Sequence, residues 1–266
     1  MTRYFTGPTP RLFAHRGASG EAPENTVAAL QRAVALGLEY AEIDVQASQD
    51  GQIAVIHDET LERTTGGHGQ VRDYSLTELR RLDAGYRFTR DDGQTFPFRA
   101  TGVIIPTLAE VLTTFPSLKF TVEIKQADPP IEAEVIDIIR QCHRAEEVIV
   151  GSEHDPVMAR VRALAPDIAT SFSFGELLEF FQRLGNGDWS GYRPPGQALQ
   201  IPPEYQGMAL VTEESLKAAH GFSCEIHVWT INEPHEIERL LDLNVDGIMS
   251  DFPDRLCAAV ARRRHS

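Results

Sequence analysis

The chain has 266 residues, 42% hydrophobic and 24% charged, which excludes the disordered class and allows a large core. Its 25 Lys and Arg against 39 Asp and Glu leave a net charge of −14, so nucleic acid and anionic membrane surfaces are not expected partners. A small phosphate ester stays admissible if its site carries positive charge of its own.

Read in order, short apolar runs alternate with amphipathic stretches. Strands are expected at Arg11–His15, Tyr40–Ala47, Ile53–His57, Lys119–Lys125, Glu147–Ser152, Asp167–Ser173, Ala198–Ile201, Glu225–Ile231 and Gly247–Ser250. Helical periodicity falls at Thr26–Leu36, Leu108–Phe115, Ile131–Cys142, Val157–Leu164, Glu213–His220 and Pro234–Leu243. Repeated strand–helix alternation argues a parallel sheet with helices outside, and at this length a (β/α)8 TIM barrel spanning residues 1–266 is the leading solution. An open doubly wound sheet is the alternative. Nine candidate strands are one too many for such a barrel. Residues 59–106 break the rhythm with polar and Gly-rich sequence, and a structureless loop of that length is improbable, so they are read as a small inserted cap subdomain.

Residues 1–17 lack the apolar run of a signal peptide, and no stretch of 18 apolar residues occurs. The cytoplasm is therefore the expected location, with no stable membrane association. Cys142, Cys224 and Cys257 are widely spaced without a CxxC pair, which suits thiols in a reducing compartment. The sequence carries no signal for an oligomeric state.

Titratable residues fall where barrel strands should end. Glu42 and Asp44 lie two apart and share one strand face with Tyr40. Adjacent carboxylates repel unless neutralised, and a hard divalent cation does so economically, with Glu123 as a third oxygen ligand. Ordinary ion pairs are the alternative. Lys125 shares Glu123's face and can reach a substrate phosphate. His15 and His57 each close an apolar run and fit a general acid and a general base. Gly17 permits a turn that would swing Arg16 to a phosphate. Trp229 lies late in its strand, where it could wall a pocket or pack in the core. The cluster as a whole suits a metal-assisted enzyme acting on a phosphate ester. No GxGxxG, Walker A or GxSxG motif is present.

Taken together, His15-Arg16-Gly17, Ala22-Pro23-Glu24-Asn25-Thr26, Glu42-Ile43-Asp44-Val45, His57-Asp58 and Thr60-Leu61-Glu62-Arg63-Thr64-Thr65-Gly66 resemble the glycerophosphodiester phosphodiesterase family. So do Ile105-Pro106-Thr107-Leu108, Glu123-Ile124-Lys125, Val228-Trp229-Thr230-Ile231-Asn232 and Asp246-Gly247-Ile248-Met249-Ser250-Asp251. The resemblance implies a phosphatidylinositol-phospholipase-type barrel with a cap after the second histidine. It implies hydrolysis of a small-molecule glycerophosphodiester to sn-glycerol 3-phosphate and an alcohol, with one Ca²⁺ or Mg²⁺ bound. By motif, His15 and His57 become the acid–base pair and Glu42, Asp44 and Glu123 the metal ligands. Arg16 becomes a phosphate ligand, and Lys125 and Trp229 substrate contacts. A lysophospholipase D acting on lysophospholipids could use the same residues. A catalytically dead binding protein should have lost a histidine or a metal ligand, and none is lost here. The chain departs from many members at Gly151-Ser152-Glu153-His154-Asp155, where they carry Ser-Phe-Asp.

Overall fold

Two faces of each strand receive different chemistry, and this alternation builds the architecture. The computed structural model describes residues 2–264. In chain order the strands are β1 (Arg11–Ala14), β2 (Tyr40–Ala47), β3 (Ile53–Val55), β4 (Lys119–Ile124), β5 (Val148–Gly151) and β6 (Ala169–Thr170). They continue with β7 (Ala198–Ile201), β8 (Glu204–Tyr205), β9 (Met208–Ala209), β10 (Glu225–Val228) and β11 (Gly247–Ser250). Eight of them are parallel in the order β6-β5-β4-β2-β1-β11-β10-β7. A parallel bridge from Ser171 to Ala198 joins the two ends, with Phe172 N donating to Ala198 O and Gln197 N to Thr170 O. The sheet thus closes into the expected barrel, and the open-sheet alternative is excluded. The ninth expected strand is β3, which pairs antiparallel with β2 and lies outside the ring.

The helices are α1 (Val27–Ala35), α2 (Leu76–Leu79), α3 (Leu108–Thr114), α4 (Glu132–Gln141), α5 (Asp155–Leu164), α6 (Phe174–Asn186), α7 (Glu213–Gly221), α8 (Pro234–Asp242) and α9 (Pro253–Arg264). Their starts follow local chemistry. Thr26 caps α1 by accepting from Ala29 N, a Thr107/Glu110 capping box opens α3, and Pro234 occupies the first turn of α8. The sequence reading anticipated neither α6 nor α9. In α6, Leu177, Phe180 and Phe181 recur at helical spacing and pack on the core; Gly187 ends it in a left-handed conformation.

Outward residues Ile43 and Val45 of β2 and Phe120, Val122 and Ile124 of β4 bury against α1, α3 and α4 through Leu30, Leu108 and Val135. The inward set is different. Phe13, Tyr40, Ile149, Ala198 and Met249 fill the lower barrel with Tyr4, which a 3-10 turn over Arg3–Phe5 inserts as a plug. Below them Arg11 grips Glu225 through two hydrogen bonds of 2.8 and 2.7 Å and donates to Tyr40 Oη. The lower end is therefore sealed, and only the carboxyl ends of the strands are left to form a mouth.

Residues 59–106 contain a 3-10 turn at Val71–Asp73, the single turn α2 and an antiparallel bridge from Thr60 to Gln70. They are held by a separate apolar cluster in which Leu61, Val71, Leu79, Ala84 and Ile105 pack on Ala54 and Ile56.

The buried ion pair sets a stability prediction. Burial acts to raise Glu225, but Arg11 and His227 hold its carboxyl down to about 2 from an ordinary 4.5. A carboxyl depressed on folding contributes stability above its unfolded pKa and loses it as pH falls through the folded one. Arg11→Ala should cost about 2–3 kcal/mol in chemical denaturation near neutral pH, because Glu225 then keeps only His227 as a partner. Its penalty should shrink as pH drops from 4.5 towards about 2. A loss below about 1 kcal/mol would show that the pair is not a structural fastening.

Candidate active site

The upper barrel is where inward alternation turns from apolar to charged. Register places Glu42 opposite Thr121 and Asp44 opposite Glu123. Glu42 and Asp44 are almost wholly buried, and one oxygen from each of Glu42, Asp44 and Glu123 lies within 4.8 Å of the others. Lys125, next on the inward face of β4, puts its ammonium 2.6 Å from Glu123 and 3.4 Å from Asp44.

Charge distribution within this cluster is uneven. Burial pushes Glu42 up to about 8, with help from Asp44 and Glu123 and opposition from His15. Burial acts upward on Asp44 too, but Lys125, Arg16 and His57 together with the Asn25 amide hold it below the usual carboxylate range. Glu42 accepts from Arg16 N through Oε2, while its Oε1 is buried without a hydrogen-bond partner. An orphaned carboxylate oxygen facing two further acids is what a hard cation's oxygen shell requires, so these residues fit a divalent metal ion.

His15 follows β1 and is fixed by its own amide, which donates to Ser250 O. Its Nδ1 lies 2.7 Å from Asp251 Oδ1, and its Nε2 is 3.9 Å from Glu42. Asp251 also accepts from Ser19 Oγ and Asn232 Nδ2. Burial works to lower His15, but the Asp251 hydrogen bond and the Glu42 charge carry it above its ordinary value.

His57 lies two residues beyond β3 rather than on a barrel strand. Two contacts from β2 pin its loop: Asp44 O accepts from Ile56 N, and Gln46 Nε2 donates to His57 O. Its Nδ1 sits 2.6 Å from Asp58 Oδ1. Each histidine therefore has Nδ1 on an aspartate, which favours a proton there and leaves Nε2 without one.

Arg16 adopts φ 53° and Gly17 φ 79°, and this double left-handed turn swings the Arg16 side chain back over the acids. Its guanidinium reaches Glu24 at 2.9 Å and Asp44 at 3.3 Å. Arg63 from the 59–106 segment clasps both Glu24 and Asp58. A continuous ionic chain thus runs His57–Asp58–Arg63–Glu24–Arg16–Asp44. Trp229 continues the inward face of β10 at the rim and is 41% exposed, away from the core-packing alternative.

Six of the sequence-selected residues, Arg16, Glu42, Asp44, Glu123, Lys125 and His15, form one linked cluster; His57 is tied to it through the contacts of its loop with Asp44 O and Gln46. Sequence reasoning gave no role to Asp251, Asn232, Glu24, Arg63 or Asn25. Asp251 was accessible by alternation, lying two residues after inward-facing Met249. The others act across loops and left no periodic signal. Gln200, on the inward face of β7, is half-buried and donates to Thr121 Oγ1. The divergent 151–155 stretch is used structurally, with Ser152 Oγ donating to Ile124 O.

The sequence model of the Glycerophosphoryl diester phosphodiesterase family matches residues 15–255. The chain belongs to this family. A family relative, the glycerophosphodiester phosphodiesterase of Bacillus altitudinis, is 35% identical over 256 residues, covering 92% of this chain and 96% of that protein. A putative family member from Silicibacter pomeroyi has a crystal structure that superposes with a TM-score of 0.80 at 25% identity, covering 98% of this chain and 97% of its own. A phosphodiesterase from Oleispira antarctica, solved in complex with the product sn-glycerol-3-phosphate, superposes with a TM-score of 0.75 at 26% identity over 95% and 97% of the two chains.

Gly17 offers a test of the turn that presents His15 and Arg16. A Cβ there would meet Ala29 Cβ at 2.6 Å, at a φ that L side chains rarely adopt. Gly17→Ala should cost about 1–3 kcal/mol and lower kcat more than it lowers stability-corrected folding. Wild-type thermal unfolding and wild-type kcat together would show that the turn is not constrained.

Proposed function

We propose that this chain hydrolyses glycerophosphodiesters to sn-glycerol 3-phosphate and an alcohol, using His15 and His57 as an acid–base pair beside a divalent cation. The carrying observation is the pairing of two aspartate-oriented histidines around one carboxylate cluster with an orphaned oxygen. Glu42, Asp44 and Glu123 would hold Ca²⁺ or Mg²⁺, which when bound supplies Lewis-acid neutralisation of phosphate charge.

The protein's own groups account for the proton movements. One histidine Nε2 takes the proton of the glycerol 2-hydroxyl as that oxygen bonds to phosphorus. The other gives a proton to the oxygen of the departing alcohol as its bond to phosphorus breaks. Water then opens the resulting cyclic phosphate with the two roles exchanged. Asp251 and Asp58 keep both rings aimed and stabilise each imidazolium as it forms. Arg16 and Lys125 contribute fixed positive charge for the phosphoryl oxygens. Trp229 forms an aromatic wall at the mouth. The 59–106 segment serves as a cap, since its Arg63 closes onto Glu24 and Asp58 beside the reacting groups. Among the described residues no helix is long and apolar enough to cross a membrane.

His15→Ala and His57→Ala should each lower kcat at least about 100-fold while leaving thermal unfolding nearly unchanged. Near-wild-type turnover in either variant would falsify the acid–base pair. Exhaustive chelation should abolish release of glycerol 3-phosphate from glycerophosphocholine, and Ca²⁺ or Mg²⁺ should restore it. Undiminished activity after chelation would remove the metal from the proposal. Glu42→Gln should abolish the thermal stabilisation that the cation gives the wild type.

A further inference from the structure

A cavity of about 560 Å³ opens between the inserted segment and the loops that follow β1 and β11. Four arginines line it: Arg63, Arg87, Arg90 and Arg255. This is anomalous in a chain of net charge −14. Two carboxylates, Glu24 and Asp92, share the lining. Glu24 is already neutralised by Arg16 and Arg63, so Arg87, Arg90 and Arg255 face a single remaining acid.

None of these three arginines forms a salt bridge among the described residues. Arg255 donates to Asn232 O and stacks on the Phe252 ring at 4.1 Å, which aims its guanidinium without cancelling its charge. Arg87 makes a long 3.4 Å contact to Thr65 O and sits 5.5 Å from the Tyr86 ring. The Arg90 side chain has no hydrogen bond or ion pair among the described residues. Guanidinium groups without an ion-pair partner on one concave wall offer donors for phosphate oxygens. The cavity is far larger than one phosphate and falls in the range of small-molecule sites.

Its position ties it to the reaction. Ser19, on its wall, donates to the Asp251 that orients His15. Glu24, Thr64 and Ala84 are shared with a narrow cleft that reaches His57. Neither His15 nor the carboxylate cluster lines this cavity, so it is distinct from the place where phosphorus reacts.

We propose that this cavity binds a second phosphate group, separate from the reacting phosphodiester. The phosphate is carried either on the leaving alcohol of the substrate or on a free phosphate compound. In the first case the cavity selects substrates whose alcohol is itself phosphorylated. In the second it is an effector site at the edge of the catalytic histidines.

Isothermal titration with inorganic phosphate in Mg²⁺ buffer separates this cavity from the reaction site and does not depend on turnover. Binding should persist in Arg16→Gln and weaken at least about tenfold in the double variant Arg87→Gln/Arg90→Gln. Loss in Arg16→Gln with retention in the double variant would overturn the proposal, as would the absence of any binding to the wild type. Steady-state kinetics then identify the source. With glycerophosphoethanolamine the double variant should keep kcat and KM within about twofold. With a glycerophosphodiester whose leaving alcohol carries a phosphate monoester, KM should rise about tenfold if the substrate supplies the second phosphate. An unchanged KM for both substrates, with phosphate binding lost, assigns the cavity to a free phosphate compound.

Discussion

Two carboxylates on one face of one buried strand repel each other, and the catalytic end of the barrel is arranged around that repulsion. Glu42 and Asp44 sit within 4.8 Å of Glu123, in surroundings that water barely enters. At such separations and low effective dielectric the repulsion amounts to several kcal/mol. The protein offsets it asymmetrically. Arg16, Lys125 and Asn25 all approach Asp44, while Glu42 has one backbone N–H and one unpartnered oxygen. Burial and the neighbouring acids raise Glu42, and its unpartnered oxygen is open to a cation. The arrangement that concentrates the repulsion also gathers the oxygens that could hold a metal ion.

The cations that relieve Asp44 are themselves tethered, and the tethers reach both halves of the site. Arg16 is held by Glu24, Glu24 by Arg63, and Arg63 by the Asp58 that orients His57. Ion pairs of this kind stabilise little when isolated and exposed, but linked in a chain they fix geometry beyond what each contributes singly. Because Arg63 belongs to the 59–106 segment, that segment's own small core helps set the position of a residue that holds Asp58 beside His57.

Much of this was legible in the sequence because strand alternation has a period of two. Glu42, Asp44, Glu123 and Lys125 could be assigned to one face from spacing alone, and the barrel class followed from repeated strand–helix alternation. Three things were hidden. Ile53–Val55 is as apolar as a barrel strand, and only its antiparallel pairing to β2 excludes it from the ring. Its placement moved His57 onto a loop held by Gln46 and by the backbone of Asp44. The α6 helix carries Gly175 and Gly185 near its two ends, which obscured a periodicity that Leu177, Phe180 and Phe181 nonetheless keep. Arg63, Glu24 and Asn232 act through space between loops, where no periodicity exists to be read.

The barrel divides its labour by face and by height. Apolar residues facing the helices and the sealed lower interior stabilise the closed sheet, so the upper inward positions are released from packing duty. They can hold charges that a hydrophobic core would exclude. The same division explains why an arginine-lined cavity can form at the rim of so acidic a molecule. Net charge governs the potential seen from a distance, beyond a screening length of about 8 Å in physiological salt. At contact range the local balance decides, and there Arg87, Arg90 and Arg255 outnumber the one acid left to oppose them. An anion reaching this end of the barrel thus passes from a repelling surface into an attracting one within a few ångströms. That gradient disfavours polyanions too large to enter the cavity and favours small phosphate compounds whose charges fit within it.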